Sequence, residues 1–284
     1  MVVFSIIEKY VKEKAGEENS VLIEALGLKK REVISLTGAG GKTTLMFRLA
    51  RELFLAGKKV VTTTTTKILE PASGETVSLF IHPDEEELQQ WVYRHLDEHK
   101  HITIAREKLE SGKLKGVSSN LVNDLFRLNR VDYLIVESDG AAGRPVKAPR
   151  EGEPVIPSST TLVVAILGVD GVEKELNEEN VFQAERVSKM TGVPIGRKMT
   201  DEAMAILMTH PEGIFKGAPS SSRVIAFLNK VDTPSRMIRA KEIAQDVIRR
   251  KHPQIERVIS GQLRNEPPVL EVMRREGWEK GARR

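Results

Sequence analysis

The stretch VISLTGAGGKTTLMFRLA, residues 33–50, decides the fold. A β-branched apolar run ends at Thr37, a glycine-rich turn follows through Gly38, Ala39, Gly40 and Gly41, and Lys42-Thr43-Thr44 opens a helical pattern. Glycines let the backbone curl through positive φ and turn successive N–H groups inward, forming an anion nest. The helix N-terminus adds its own partial positive charge. Lys42, read as a solvent-facing loop cation, is then placed to reach the β- and γ-phosphates of a nucleotide, and the Thr43 hydroxyl to ligate Mg²⁺. The loop is shorter than the usual G-x-x-x-x-G-K-[ST] pattern, because Leu36 stands at the first glycine position.

Working outward, Met46, Leu49, Leu53 and Ala56 share one stripe of the following helix, which ends at Gly57. Apolar, strand-like runs recur at 59–66, 77–81, 101–105, 131–138, 161–169, 223–229 and 257–260, with helical patterns between them. Several are apolar almost throughout, as parallel strands covered on both faces are. The alternation predicts an α/β fold, a doubly wound, mainly parallel sheet of the P-loop NTPase type with added N-terminal helices. Residues 1–30 read as a helical extension, 31–265 as the nucleotide-binding domain, and 266–284 as a C-terminal helix and frayed tail.

Composition removes whole classes. There is no cysteine, so disulfides, thiolate metal sites and a cysteine nucleophile are out, and the chain has no thiol of its own to act as a covalent carrier. The net charge of +4 is spread along the chain, too mild a balance to argue for nucleic acid. No run approaches the ~18 apolar residues of a membrane span. The first residues lack a signal-peptide apolar core. A cytoplasmic protein with no membrane partner is expected. His95 and His99 have i, i+4 spacing, but no third ligand type recurs near them, and a solvated helix end is the better reading.

Three further patterns carry chemistry. The apolar strand VDYLIVES ends near Glu137 and Asp139, as a strand-tip carboxylate that holds Mg²⁺ should, and either residue fits the role. Beyond it, Arg144 and Lys147 stand in a proline-stiffened stretch, read equally well as contacts to a γ-phosphate or anionic partner and as surface charges. KVVTTTTT reads equally well as a plain buried strand and as one whose Thr65 and Thr66, at its carboxyl end where ligands bind in open α/β sheets, take a Mg²⁺-linked or substrate role. RVIAFLN then ends in Asn229-Lys230-Val231-Asp232, the N-K-x-D pattern. One carboxylate, Asp232, can accept from both the ring N–H and the amine of guanine. Asn229 would brace the base and loop, and the Lys230 stem would lie along the ring. Ser260, ending the last strand, is a further candidate near the guanine carbonyl.

The short loop resembles that of the Mur ligases and the metallochaperone-type NTPases. Taken together, TGAGGKTT, TTTTTKI, ESDGAAGRPVKAPREGEPVIP and NKVD resemble the YqeC family over about residues 20–262. That resemblance implies a P-loop fold and a proposed accessory role in maturing a selenium-dependent molybdenum hydroxylase or its cofactor. The expectation is a Mg²⁺-dependent nucleotide-binding protein, a slow GTPase with GTP favoured over ATP. Lys42, Glu137 and Asp139 would be catalytic, and Thr43, Glu137 and Asp139 metal-facing. A hydroxylase or cofactor-maturation protein is the expected partner, with a homodimer left open. An ATP-dependent ligase or kinase, or a non-catalytic nucleotide-gated module, are the alternatives.

Overall fold

The computed structural model describes residues 20–274. Residues 1–19 of the expected N-terminal extension and the expected tail from 275 lie outside them. In chain order the elements are α1 (Val21–Ala25), β1 (Glu32–Gly38), α2 (Lys42–Leu55), β2 (Val60–Thr64), β3 (Lys67–Leu69), β4 (Ser78–Ile81), α3 (Glu85–His99), β5 (His101–Ala105), β6 (Glu107–Lys108), β7 (Lys113–Lys115) and α4 (Ser119–Arg127). Then follow β8 (Tyr133–Glu137), β9 (Val146–Lys147), β10 (Leu162–Gly168), β11 (Val181–Phe182), α5 (Ala184–Thr191), α6 (Asp201–Thr209), β12 (Arg223–Asn229), α7 (Pro234–Arg249), β13 (Ile255–Gly261) and β14 (Val269–Arg274).

Nine strands form the central sheet in the order β14-β13-β12-β10-β1-β8-β2-β5-β4. Every neighbouring pair is parallel except β13–β14. The middle strands are buried on both faces, because alternate residues feed different cores. Ile34 and Leu36 of β1 pack with Leu22 of α1 and Leu45, Leu49 and Leu53 of α2. On the other face, Val163, Ala165 and Leu167 of β10 meet Val187, Leu207 and Ile243 of α5–α7. Val33 and Leu134 meet Leu88 and Val92 of α3 and Val122 of α4. Full burial of one such side chain contributes about 1.5–3 kcal/mol, so two covered faces hold the sheet without staples.

Two expectations are corrected. The predicted C-terminal helix is the edge strand β14 over its described part, paired antiparallel with β13 from Arg257↔Arg274 to Gly261↔Val269. The helical pattern read through EENVFQAERVSKMTG begins only at Ala184. Val181 and Phe182 instead pair with Val146 and Lys147, and Gln183, with φ of 61°, breaks the backbone between strand and helix. Register puts the chemistry-bearing ends level. Leu36 pairs with Glu137, Gly38 with Ile166, Gly168 with Asn229 and Leu228 with Ser260. The carboxyl ends of β8, β1, β10 and β12 therefore open onto one edge, where an open α/β sheet binds ligands.

Candidate functional site

α3, α4, α6 and α7 each begin on a side-chain cap, from Asp84, Ser118, Thr200 and Thr233 respectively. α2 begins on Gly41 and has no side-chain cap. Its first N–H groups are thus left for something else to satisfy. The turn ahead of it runs through positive φ at Gly38, Gly40 and Gly41. At Gly38 no side chain is admissible, since a Cβ would stand 2.1 Å from the Ile166 carbonyl oxygen. The Ala39 N–H donates to that same carbonyl at 2.8 Å, tying the turn to β10.

Lys42 is not the solvent-facing cation expected of its position: it is 4 % exposed. Its ammonium donates to the Gly38 carbonyl at 2.6 Å and stands 3.3 Å from Asp139 and 3.8 Å from Glu137. Burial works to lower its pKa, but Asp139 and Glu137 outweigh burial and hold the ammonium above its ordinary value. It is a cation at neutral pH, folded back onto the loop's own Gly38 carbonyl.

The two candidate carboxylates separate cleanly. Asp139 is fully buried, with Oδ2 accepting from the Gly38 N–H at 3.0 Å and paired to Lys147 at 2.9 Å. It does not line the cleft; Glu137 does. Glu137 Oε2 accepts from the Thr43 hydroxyl at 2.7 Å, and burial pushes its carboxyl up against the pull of Lys42 and Thr43. The Thr43 oxygen and the Glu137 carboxylate are a hard, all-oxygen donor pair at the cleft wall, the chemistry Mg²⁺ takes. Lys147 is neither a surface charge nor a cleft cation. It is fully buried, bridging Asp139 and Glu153 and donating to the Gly140 carbonyl at 2.6 Å.

At the other end, Asn229 joins two loops. Its amide donates to the Gly40 carbonyl at 2.7 Å and its oxygen accepts from the Leu263 N–H at 3.0 Å. Lys230, at φ of 65°, pairs with Asp170 at 2.9 Å. Asp232 lies at the cleft rim, paired to Arg236 in the first turn of α7. Ser260 sits within β13 and does not line the cleft; Gln262, Leu263, Arg264 and Asn265, just beyond it, do. Thr62, Thr63 and Thr64 spend their hydroxyls inside the sheet, on Thr103, the Ile104 carbonyl and the Glu137 carbonyl. Thr65 and Thr66 line the cleft, as does Thr44. His95 and His99 stack with Trp91 rather than converge on a ligand.

The β1–α2 loop, Thr65, Thr66, Glu137, Asn229, Lys230 and Asp232 bound one cleft of about 1240 Å³. Sequence reasoning passed over Asp170, an acid directly after β10 that lines it. The signal was present in VAILGVDG, an apolar strand ending in a carboxylate, the same form as β8.

A family profile described as YqeC protein matches residues 34–185. The uncharacterized protein YqeC of Escherichia coli (strain K12) is 30 % identical over 257 residues, covering 90 % of this chain and 97 % of that one. The chain belongs to the YqeC family. The family match takes in the glycine-rich loop, both carboxylates and Arg144–Lys147, and ends before Asn229. Among solved structures, the hydrogenase maturation factor HypB from Archaeoglobus fulgidus is 12 % identical, with a TM-score of 0.39 over 90 % of this chain and 91 % of that one. The signal recognition particle receptor FtsY from Elizabethkingia anophelis is 14 % identical, with a TM-score of 0.33 over 91 % and 74 %. No helix among the described residues is long and apolar enough to cross a membrane.

Proposed function

We propose that this YqeC-family protein binds a Mg²⁺–nucleoside triphosphate on the β1–α2 loop and hydrolyses it slowly, with GTP favoured over ATP. The observation that carries the reading is the uncapped start of α2 beside a buried, charged Lys42. Loop amides and the helix dipole would hold the β- and γ-phosphates. Lys42 would exchange the Gly38 carbonyl for phosphate oxygens, stabilising charge on the transferring group. Thr43 and Glu137 would hold Mg²⁺, which when bound neutralises charge between the β- and γ-phosphates. Asp139 acts one step back, pinning the Gly38 N–H and balancing Lys42 and Lys147.

For the base, Asn229 supports a brace between the phosphate loop and the Gln262–Asn265 loop rather than a direct reader. Asp232 would read guanine. Its pairing to Arg236 is partly exposed, and such pairs are worth about 0–1 kcal/mol, less than the two charge-assisted bonds guanine offers at about 1.5–3 kcal/mol each. The role in maturing a selenium-dependent molybdenum hydroxylase rests on the family resemblance. A chain without thiols fits a nucleotide-driven accessory factor better than a covalent selenium carrier.

Competition binding of GTP, ATP and XTP to the parent and to Asp232→Asn, with phosphate release followed with and without Mg²⁺, tests this. GTP should lead in the parent, and the variant should lose GTP and gain XTP, since xanthine's carbonyl complements an amide donor. Equal affinities for all three bases in both proteins would end the guanine reading. Absence of Mg²⁺-dependent phosphate release would end the hydrolase reading.

A further inference from the structure

The cleft is larger than one ligand needs. Small-molecule sites occupy about 300–1,000 Å³, and this one, at about 1240 Å³, is lined by two cationic walls as well as by the β1–α2 loop. The first is the outer face of the small β3–β7–β6 sheet. Lys67 stands directly opposite Lys115, and Leu69 opposite Lys113, while Ile68 and Leu114 turn into the core. Like charges facing across a strand pair cost stability, so this face is not built for the sheet's own sake. Lys115 has Glu107 at 3.3 Å; among the described residues Lys67 and Lys113 have no carboxylate partner. Gly116 fixes the wall in place, since a Cβ there would stand 2.0 Å from the Thr64 carbonyl oxygen.

The second wall is Arg144 and Arg150, whose guanidinium groups lie 5.9 and 4.5 Å from the centre of the Phe182 ring. The Arg144 Nε donates to the Glu178 carbonyl, and neither guanidinium pairs with a carboxylate among the described residues. The acids of this cleft half are already engaged: Glu70 with Lys108, Glu75 with the Ala72 N–H, and Glu153 with Lys147. Buried Lys147, 5.2 Å from the centre of the same ring, takes Asp139 and Glu153, so neither carboxylate pairs with the two arginines.

We infer that this half of the cleft binds a second ligand, a small molecule carrying a phosphate or carboxylate group, while a nucleotide occupies the loop. The inference rests on the nucleotide reading above. A planar guanidinium offers paired donors to either oxyanion, and the Phe182 ring and the Glu178 carbonyl limit the rotamers that must be frozen on binding. The lysines of β3 and β7 would face the ligand's far side.

The test loads the protein with Mg²⁺ and the β,γ-imido analogue of GTP, then titrates inorganic phosphate and, separately, citrate by calorimetry. Saturable binding of at least one anion is expected, the tighter of the two telling phosphate from carboxylate. Arg144→Gln/Arg150→Gln should weaken it at least tenfold with analogue affinity unchanged within twofold. Lys67→Gln/Lys115→Gln, on the opposite wall, should weaken it independently. Absence of saturable anion binding to the loaded protein, or equal binding by both double variants and the parent, overturns the inference and leaves the nucleotide reading standing. Loss of analogue affinity in the arginine variant overturns it too, by placing those residues on the γ-phosphate. Failure of the parent to bind the analogue ends both.

Discussion

Lys147→Met removes a fully buried ammonium from between two carboxylates and keeps the volume of its stem. Three acceptors lose their donor: Asp139 at 2.9 Å, Glu153 at 3.1 Å and the Gly140 carbonyl at 2.6 Å. Breaking a buried pair by deleting one partner costs about 3–5 kcal/mol, because the remaining charge is left without compensation. The low end applies here. Asp139 keeps Lys42 at 3.3 Å and the Gly38 N–H at 3.0 Å, and Glu153 is partly open to water. For a chain of this size 1 kcal/mol moves the melting point by about 2–4 °C, so a fall of about 6–12 °C is expected. Scanning calorimetry at pH 7 on Lys147→Met, Asp139→Asn and the double variant measures it. The double variant should lose less than the sum of the singles by about 1 kcal/mol or more, because the two groups touch. A melting point within about 2 °C of the parent, or strictly additive losses, would refute the reasoning.

The two carboxylates should part company in solution. Glu137→Gln should remove most of the Mg²⁺-dependent gain in nucleotide affinity, while Asp139→Asn should mainly lower the melting point; titrations with and without Mg²⁺ beside thermal melts distinguish them, and equal Mg²⁺ gains in both variants would misplace the metal. Burial raises the carboxyl of Glu52 to about 7, against the N–H groups of Leu22 and Ile23 that it accepts. The native state holds that proton more tightly than the unfolded chain, so the group's contribution is complete below pH 4.5 and is lost as pH rises through about 7, on the order of 2 kcal/mol after solvent screening. Glu52→Gln should therefore melt above the parent at pH 8 and level with it at pH 4.5, by calorimetry at both values.

The sheet was readable because its central strands are buried on both faces, and a parallel strand of that kind announces itself as an unbroken apolar run, as TLVVAILGV and RVIAFLN do. β14 was not readable, because VLEVMR repeats two apolar residues and one charged, a period of three rather than two, and is defined by pairing to β13 alone. Nor were β3, β6, β7, β9 and β11, at two or three residues each, which are too short to carry a period. In the site, residue types were legible and burial was not. The proline-stiffened stretch looked like a place for two exposed cations, yet pairing of Val146 and Lys147 with Val181 and Phe182 draws Lys147 inward and leaves Arg144 at the cleft. In the same way, spacing could nominate Glu137 and Asp139 together, whereas β8 ends at Glu137, which reaches Thr43, and Asp139, past the strand's end, takes the Gly38 N–H beneath the loop.

Calorimetric titration of Mg²⁺–GTP into the parent and into Lys42→Ala, with thermal melts confirming that the variant is folded, tests the phosphate-binding role of the β1–α2 loop most directly. A charge-assisted bond of about 1.5–3 kcal/mol corresponds to about 10- to 150-fold in affinity. Saturable one-to-one binding by the parent, weakened by that factor in the variant, is the expected result. Equal affinity in a folded Lys42→Ala protein, or no binding of any nucleoside triphosphate by the parent, would contradict it.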